Sequence, residues 1–287
     1  VPDANIGHFF RHFAFYGAII MVRQPAVAGQ FYPGAPEALK KLIEKLTKKS
    51  AVKKKVFGIV SPHAGLAYSG QVAGDVYSRI KLPGTIIVIG PNHTGRGRPF
   101  SLVKKGSWAT PLGQVEIDED FSGRLLKASR FLQDDLTAHS FEHSIEVQLP
   151  FLQFFKAGFK FVPIMLSHSD LAIYREIGNN IADCVRDLKK DVLIVASSDM
   201  THYEEQKIAQ AKDREAINAI LELNEEKLLK KIDEFDISMC GYAPVAVMLA
   251  AVKKLGAKTA ELVKYQTSGE TTGDYSAVVG YAGIIVS

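Results

Sequence analysis

The sequence predicts an α/β fold with a mainly parallel sheet flanked by helices. Two observations predict it. Short apolar runs rich in Val and Ile alternate with longer amphipathic stretches along the chain, the order expected of parallel strands joined by crossover helices. Three of the runs also empty into loops that carry a histidine: "GIVSPHAG", "TIIVIGPNHTG" and "DVLIVASSDMTHY". Open α/β sheets bind ligands at the carboxyl edge of their strands, so three strands would deliver imidazoles to one place.

The apolar runs predict buried strands at 56–60, 85–89, 159–166, 192–196, 258–265 and 277–286. Helical periodicity predicts helices at 36–48, 71–80, 118–129, 140–155, 170–189, 205–223, 225–234 and 244–255. The segment "SLVKKGSWATPLGQVEID" breaks the alternation and reads as an antiparallel hairpin addition turning near Pro111-Leu112-Gly113. Residues 21–287 form one α/β domain on this reading. Residues 1–20 precede Met21 and read as an N-terminal extension, expected to pack on the domain or on a neighbouring subunit. His8, Arg11 and His12 interrupt any signal-peptide core there.

The composition, 47% hydrophobic and 23% charged over 287 residues, is that of a soluble globular chain. No apolar run reaches the ~20 residues that span a bilayer, and no membrane partner is expected. The net charge of +4 is concentrated in "KKLIEKLTKKSAVKKK", residues 40–55, with eight lysines and one acid. That stretch lacks an arginine fork or an interleaved aromatic series, so it reads as a solvated helix face and no nucleic acid is expected. Two cysteines give no disulfide framework and fit a reducing cytoplasm. Cys184, in a helical pattern, reads as packing.

The chemistry-bearing residues begin with His63, His93 and His202. Imidazole is both the commonest metal ligand and a proton carrier near neutral pH. Asp199, three residues before His202, suits orientation of an imidazole base; a helix N-cap is its other reading. Cys240 precedes the helical "GYAPVAVMLAAVKK", where a helix dipole should lower a thiol pKa and favour thiolate; a small buried hydrophobe is its plain alternative. A rival constellation is "HSFEH", His139 to His143, which matches H-x-x-E-H. On a helix it would put two imidazoles beside Glu142, although Pro150 interrupts that helix and no downstream glutamate completes the set.

"AGQFYPG", "SPHAGLAYSG", "GPNHTG", "ATPLG", "EHSIEVQLPFLQ", "SSDMTHY", "CGYAPV" and the "YQTSGE…DYSAVVGYAG" tail occur in that order. Together, over about residues 23–285, they resemble the Memo family. The resemblance implies a fold similar to class III extradiol dioxygenases, non-haem iron enzymes that open catechol rings. Carried onto this chain, it implies metal ligation by His63, His93 and Cys240. It puts His202 at the acid/base position, with Asp199, Glu142 and His143 as further catalytic residues. A thiolate then stands where the dioxygenases have a carboxylate, so the ion is iron, copper or zinc. The implied function is metal-dependent redox or dioxygenase-like chemistry. A non-catalytic module that binds a peptide or small molecule in the inherited pocket is the alternative, and a metal-assisted hydrolase a further one. The implied partners are that ligand and, in the same pathway, a radical-SAM enzyme with a small companion protein.

"GPNHTGRGRPF" lacks the spacing of a nucleotide loop. Arg96 and Arg98 in it read as solvated loop cations at the pocket mouth, and "QTSGETTGD" is expected to line or cover the same edge.

Overall fold

The computed structural model describes residues 10–15, 18–48 and 52–287. Its strands are β1 (Phe10–Phe15), β2 (Ala18–Arg23), β3 (Gly58–Ser61), β4 (Thr85–Pro91), β5 (Phe100–Leu102), β6 (Ser107–Thr110), β7 (Gly113–Ile117), β8 (Gln133–Asp134), β9 (Lys160–Leu166), β10 (Val192–Ser197), β11 (His202–Glu204), β12 (Ala260–Thr267) and β13 (Val278–Val286). Its helices are α1 (Pro36–Leu46), α2 (Leu66–Ser78), α3 (Glu119–Ala128), α4 (Leu149–Phe155), α5 (Leu171–Asp187), α6 (Gln206–Leu221), α7 (Glu225–Glu234), α8 (Tyr242–Leu255) and α9 (Gly269–Thr272).

The centre of the sheet is β9-β4-β10-β3, all parallel. Their β-branched residues are buried on both faces, as central parallel strands require. Side chains alternate along β4. Ile87 and Ile89 pack into one apolar cluster with α5 and α8, while Ile86 and Val88 pack into the other with α1, α2 and α4. Gly178 lets α5 lie against α8, because a Cβ there would stand 2.6 Å from the Val247 carbonyl oxygen. Cys184 is buried in the same cluster as α5, as the packing reading expects. Beyond β3 the sheet turns antiparallel through β13 and then β12.

The expected hairpin is β6–β7, antiparallel within itself. It joins the main sheet differently from expectation, because β7 lies parallel to β9 through Glu116↔Lys160 and Ile117↔Phe161. The strand that runs antiparallel on β9 is β5. β2 continues the sheet beyond β6 through Val22↔Ser107 and Arg23↔Trp108. The packing expected of residues 1–20 falls largely outside the described residues. Among the described residues, no helix is long and apolar enough to cross a membrane.

One expected helix is corrected. Of 140–155, only α4 is α-helical; Thr137–His139 and Glu146–Gln148 are short 3-10 turns. Two buried carboxylates explain this. Glu142 Oε1 takes the backbone N–H groups of His143 and Ser144, both at 2.9 Å. Glu146 is fully buried and pairs at 2.5 Å with Arg23, itself 1% exposed. Arg23 also donates to the carbonyls of His139 (2.8 Å) and Glu142 (2.7 Å), pinning the segment in an irregular path. Side-chain capture of backbone groups competes directly with helix formation. His139 and His143 therefore share no helical face, and the H-x-x-E-H arrangement is not formed. His139 instead sits edge-on to Trp108, with Nε2 3.0 Å from Ser101 Oγ.

Candidate metal centre

β3, β4 and β10 are parallel, so the loops that follow them open on one edge. Ser61 ends β3 and Pro62 leads into His63; Pro91 ends β4 and Asn92 leads into His93. The irregular 140–148 segment brings a third ring, His143. The ring centroids lie 5.2 Å (His63–His93), 5.4 Å (His63–His143) and 4.9 Å (His93–His143) apart. One ligand nitrogen from each ring falls within 4.8 Å of the others.

Hydrogen bonding holds Nδ1 of two of the three rings. Ser197 Oγ donates its single proton to the Ser144 carbonyl at 2.6 Å. The hydroxyl can then only accept from His63 Nδ1, 2.9 Å away, which leaves the lone pair on His63 Nε2. Glu142 Oε1 accepts from His93 Nδ1 at 2.9 Å and lies 3.3 Å from His143 Nδ1. His202 follows the same rule, since its Nδ1 faces the Ser238 carbonyl at 3.0 Å. Metal-binding histidines are held in this way, with one nitrogen tied to a carboxylate, carbonyl or hydroxyl and the other presented.

The electrostatics favour the neutral form of His63 and His143 and the charged form of His93 beside Glu142. Burial, then the neighbouring imidazoles of His143, His93 and His202, hold His63 well below its ordinary pKa. Burial also lowers His143, against the pull of Glu142. Burial pulls His93 down as well, but the hydrogen bond and charge of Glu142 outweigh it and leave the pKa raised. Burial pushes Glu142 up; the His93 hydrogen bond, the two imidazoles and the Ser144 N–H overcome it and bring the group to about 2. The donor set therefore fits a metal ion: three imidazoles around one permanent anion.

Cys240 stands beside this cluster, with Sγ 3.3 Å from His63 Nε2 and 3.7 Å from the Asp199 carbonyl oxygen. Gly241 makes this approach possible, because a Cβ there would collide with the Ser197 carbonyl and the Ser198 side chain. The expected lowering of the thiol pKa is reversed. Burial, then the charge of Asp199, push it up against the Asp199 carbonyl and Ser198 hydrogen bonds. Thiolate at this position would need a cation to balance it.

Asp199 is not a helix cap, since the next helix begins at Gln206. Its Oδ1 accepts the backbone N–H groups of His63 (2.8 Å) and Ala64 (3.3 Å), and so aims the His63 turn. Burial raises the group to about 6 against those N–H bonds and the His202 charge. His202 lies in β11, its backbone N–H bonded to Ser238 Oγ at 2.8 Å.

Sequence reasoning missed Ser144, Gln148 and Ser197. Gln148 Nε2 reaches the Pro62 carbonyl (2.9 Å) and Ser197 Oγ (2.8 Å), and its Oε1 accepts from Tyr77 at 2.8 Å. Buried polar side chains inside apolar segments were the signal available for them.

Comparison with known proteins bears on the whole chain. The family model for Memo-like proteins matches residues 23–285. A MEMO1 family protein of Methanopyrus kandleri is 44% identical over 279 residues, covering 92% of this chain and 99% of that one. Another, from Methanocaldococcus jannaschii, is 45% identical over 284 residues, again covering 92% and 99%. In fold, the chain is similar to an uncharacterized protein of Escherichia coli K12 of known crystal structure, with a TM-score of 0.53 at 15% identity, over 80% of this chain and 100% of that chain. With a family match over nearly its full length and relatives of this identity, the chain belongs to the Memo family.

Proposed function

We propose that this chain is a metal-dependent enzyme of redox, dioxygenase-like type. One iron, copper or zinc ion would be held by His63, His93 and His143, with the Cys240 sulfur beside His63. The observation that carries the reading is the cluster itself: three neighbouring imidazoles with one ligand nitrogen each within 4.8 Å of the others, and Nδ1 of His63 and His93 held by hydrogen bonds. A bound ion would supply a Lewis acid and, if redox-active, a one-electron centre. The protein side of the chemistry falls to Glu142, which orients two rings, and to His202 and Asp199. A carboxyl near 6 beside an imidazole with a free Nε2 can pass a proton near neutral pH. A class III extradiol-like ancestry for the fold is part of the proposal, supported by histidines delivered from parallel strand ends.

The test is elemental analysis of protein purified anaerobically, as wild type and as the His63→Ala, His93→Ala, His143→Ala and Cys240→Ala variants. About one ion per chain, lost in the histidine variants with the fold intact, is the expected result. Wild type that never takes up stoichiometric metal would leave a ligand-binding module as the function. One feature favours a second reaction class: a cluster of three imidazole ligand nitrogens also suits zinc-assisted hydrolysis. Ester hydrolysis that tracks zinc content would select it.

A further inference from the structure

His93 reaches solvent, its side chain being 34% exposed. It stands on the 93–98 loop, whose backbone is pinned. Asn92 Oδ1 accepts from Thr94 Oγ1 (2.9 Å) and the Gly95 N–H (3.0 Å), while its Nδ2 donates to the Arg96 carbonyl (2.8 Å). Gly97 adopts φ +72° against Asp135 and Ala138, with no room for a Cβ. The Arg98 N–H donates to Asp135 Oδ2 at 2.5 Å.

On this fixed loop Arg96 lays its guanidinium over Phe141, with Cζ 4.7 Å from the ring centroid. Phe141 directly precedes Glu142, which holds His93 and His143. Stacking fixes the plane of a guanidinium while using none of its N–H donors. Among the described residues the Arg96 guanidinium has no hydrogen-bond or carboxylate partner, unlike Arg23, Arg130 and Arg175. A braced, charged fork three residues from His93 suits an anion from outside the chain.

We infer that Arg96 reads a carboxylate on the substrate, so that the pocket takes a small organic acid whose other end faces the histidine cluster. This rests on the cluster being the reacting end of the pocket. A single fork matches one carboxylate bidentately. A phosphate dianion carries more charge than one fork balances. Arg98, two residues on, provides the internal control, because it has the same charge in the same loop and, among the described residues, no aromatic brace.

The experiment is calorimetric titration of benzoate, and separately of inorganic phosphate, into the full chain at low ionic strength. Wild type, Arg96→Gln, Arg96→Lys and Arg98→Gln are compared, each with metal content measured on the same sample. Benzoate affinity should fall about tenfold in Arg96→Gln, the loss of one exposed charge-assisted pair. It should fall in Arg96→Lys as well, where charge remains without the fork, and hold in Arg98→Gln. Wild type that ignores benzoate, equal losses at both arginines, or tighter binding of phosphate than of benzoate would each overturn the assignment. Protein that carries no metal yet binds benzoate through Arg96 sustains it while removing the metal reading; protein that loads metal but binds benzoate independently of Arg96 does the reverse.

Discussion

Glu142→Gln should weaken metal binding by about 10- to 100-fold, or roughly 1.4–2.8 kcal/mol. The carboxylate has four acceptor contacts of 2.9 Å or less: Oε1 takes His93 Nδ1, the His143 N–H and the Ser144 N–H, and Oε2 takes the His93 N–H at 2.6 Å. An amide has one acceptor oxygen. Placed at the Oε1 position it keeps three contacts, but its NH2 then meets the His93 N–H, donor against donor. A stranded donor costs about 1–3 kcal/mol, and relief requires the turn that aims His93 to move. The charge change has an independent signature. Glu142 is what raises His93 against burial, and a metal must displace the His93 proton. In wild type, metal loading therefore rises as pH climbs through that raised value. In the variant only the charge of Asp199 still opposes burial, His93 loses its proton at lower pH, and the loading midpoint moves down even though affinity at pH 8 is weaker. Competition for zinc or cobalt with a chromophoric chelator across pH 5–8 would measure both effects, with circular dichroism checking the fold. Affinity within twofold of wild type, or a midpoint that stays put, would refute the assignment of Glu142 as the anion that holds two ligand rings.

Three further outcomes are expected. Arg23→Leu strands Glu146 in the interior and should cost about 3–5 kcal/mol, seen as a Tm lower by roughly 6–20 °C; a drop of less than about 2 °C would show that the buried pair does not hold the 139–146 segment. Gly241→Ala places a methyl against the Ser197 carbonyl and the Ser198 side chain, so it should lower stability by about 1–3 kcal/mol and reduce metal uptake; unchanged unfolding would mean the Cys240 turn is free to adjust. Asp118 is pushed up by burial, but Lys190, Thr85 and the Phe121 N–H outweigh this and lower its pKa. A depressed carboxyl stabilises the fold above its unfolded value near ~3.9 and loses that contribution as pH falls through the folded value. The urea midpoint of wild type should therefore fall more steeply than that of Asp118→Asn between about pH 5 and pH 2; parallel curves would count against the linkage.

The chain's own pattern determined the architecture. Runs such as "TIIVIG" are apolar on both alternating faces, so they must lie inside a covered sheet, and the order of strands and helices makes its centre parallel. Parallel strands share a carboxyl edge, so His63 and His93 meet there as a consequence of topology. Tertiary structure alone decided the rest of the centre. Residues 140–148 carry a helical pattern, yet Glu142 and Glu146 are buried; Glu142 binds the N–H groups of His143 and Ser144, while Glu146 binds those of Ala26 and Val27. Glu146 also pairs with Arg23, 123 residues away in sequence. That irregular path is what turns His143 toward His63 and His93. The proton position on His63 likewise depends on the Ser144 carbonyl taking the Ser197 proton, and no periodicity encodes a contact between those two segments. Cys240 shows the same limit. Its place before a helix is local and points to an acidic thiol, but burial beside Asp199 is a property of the whole fold, and it pushes the thiol up.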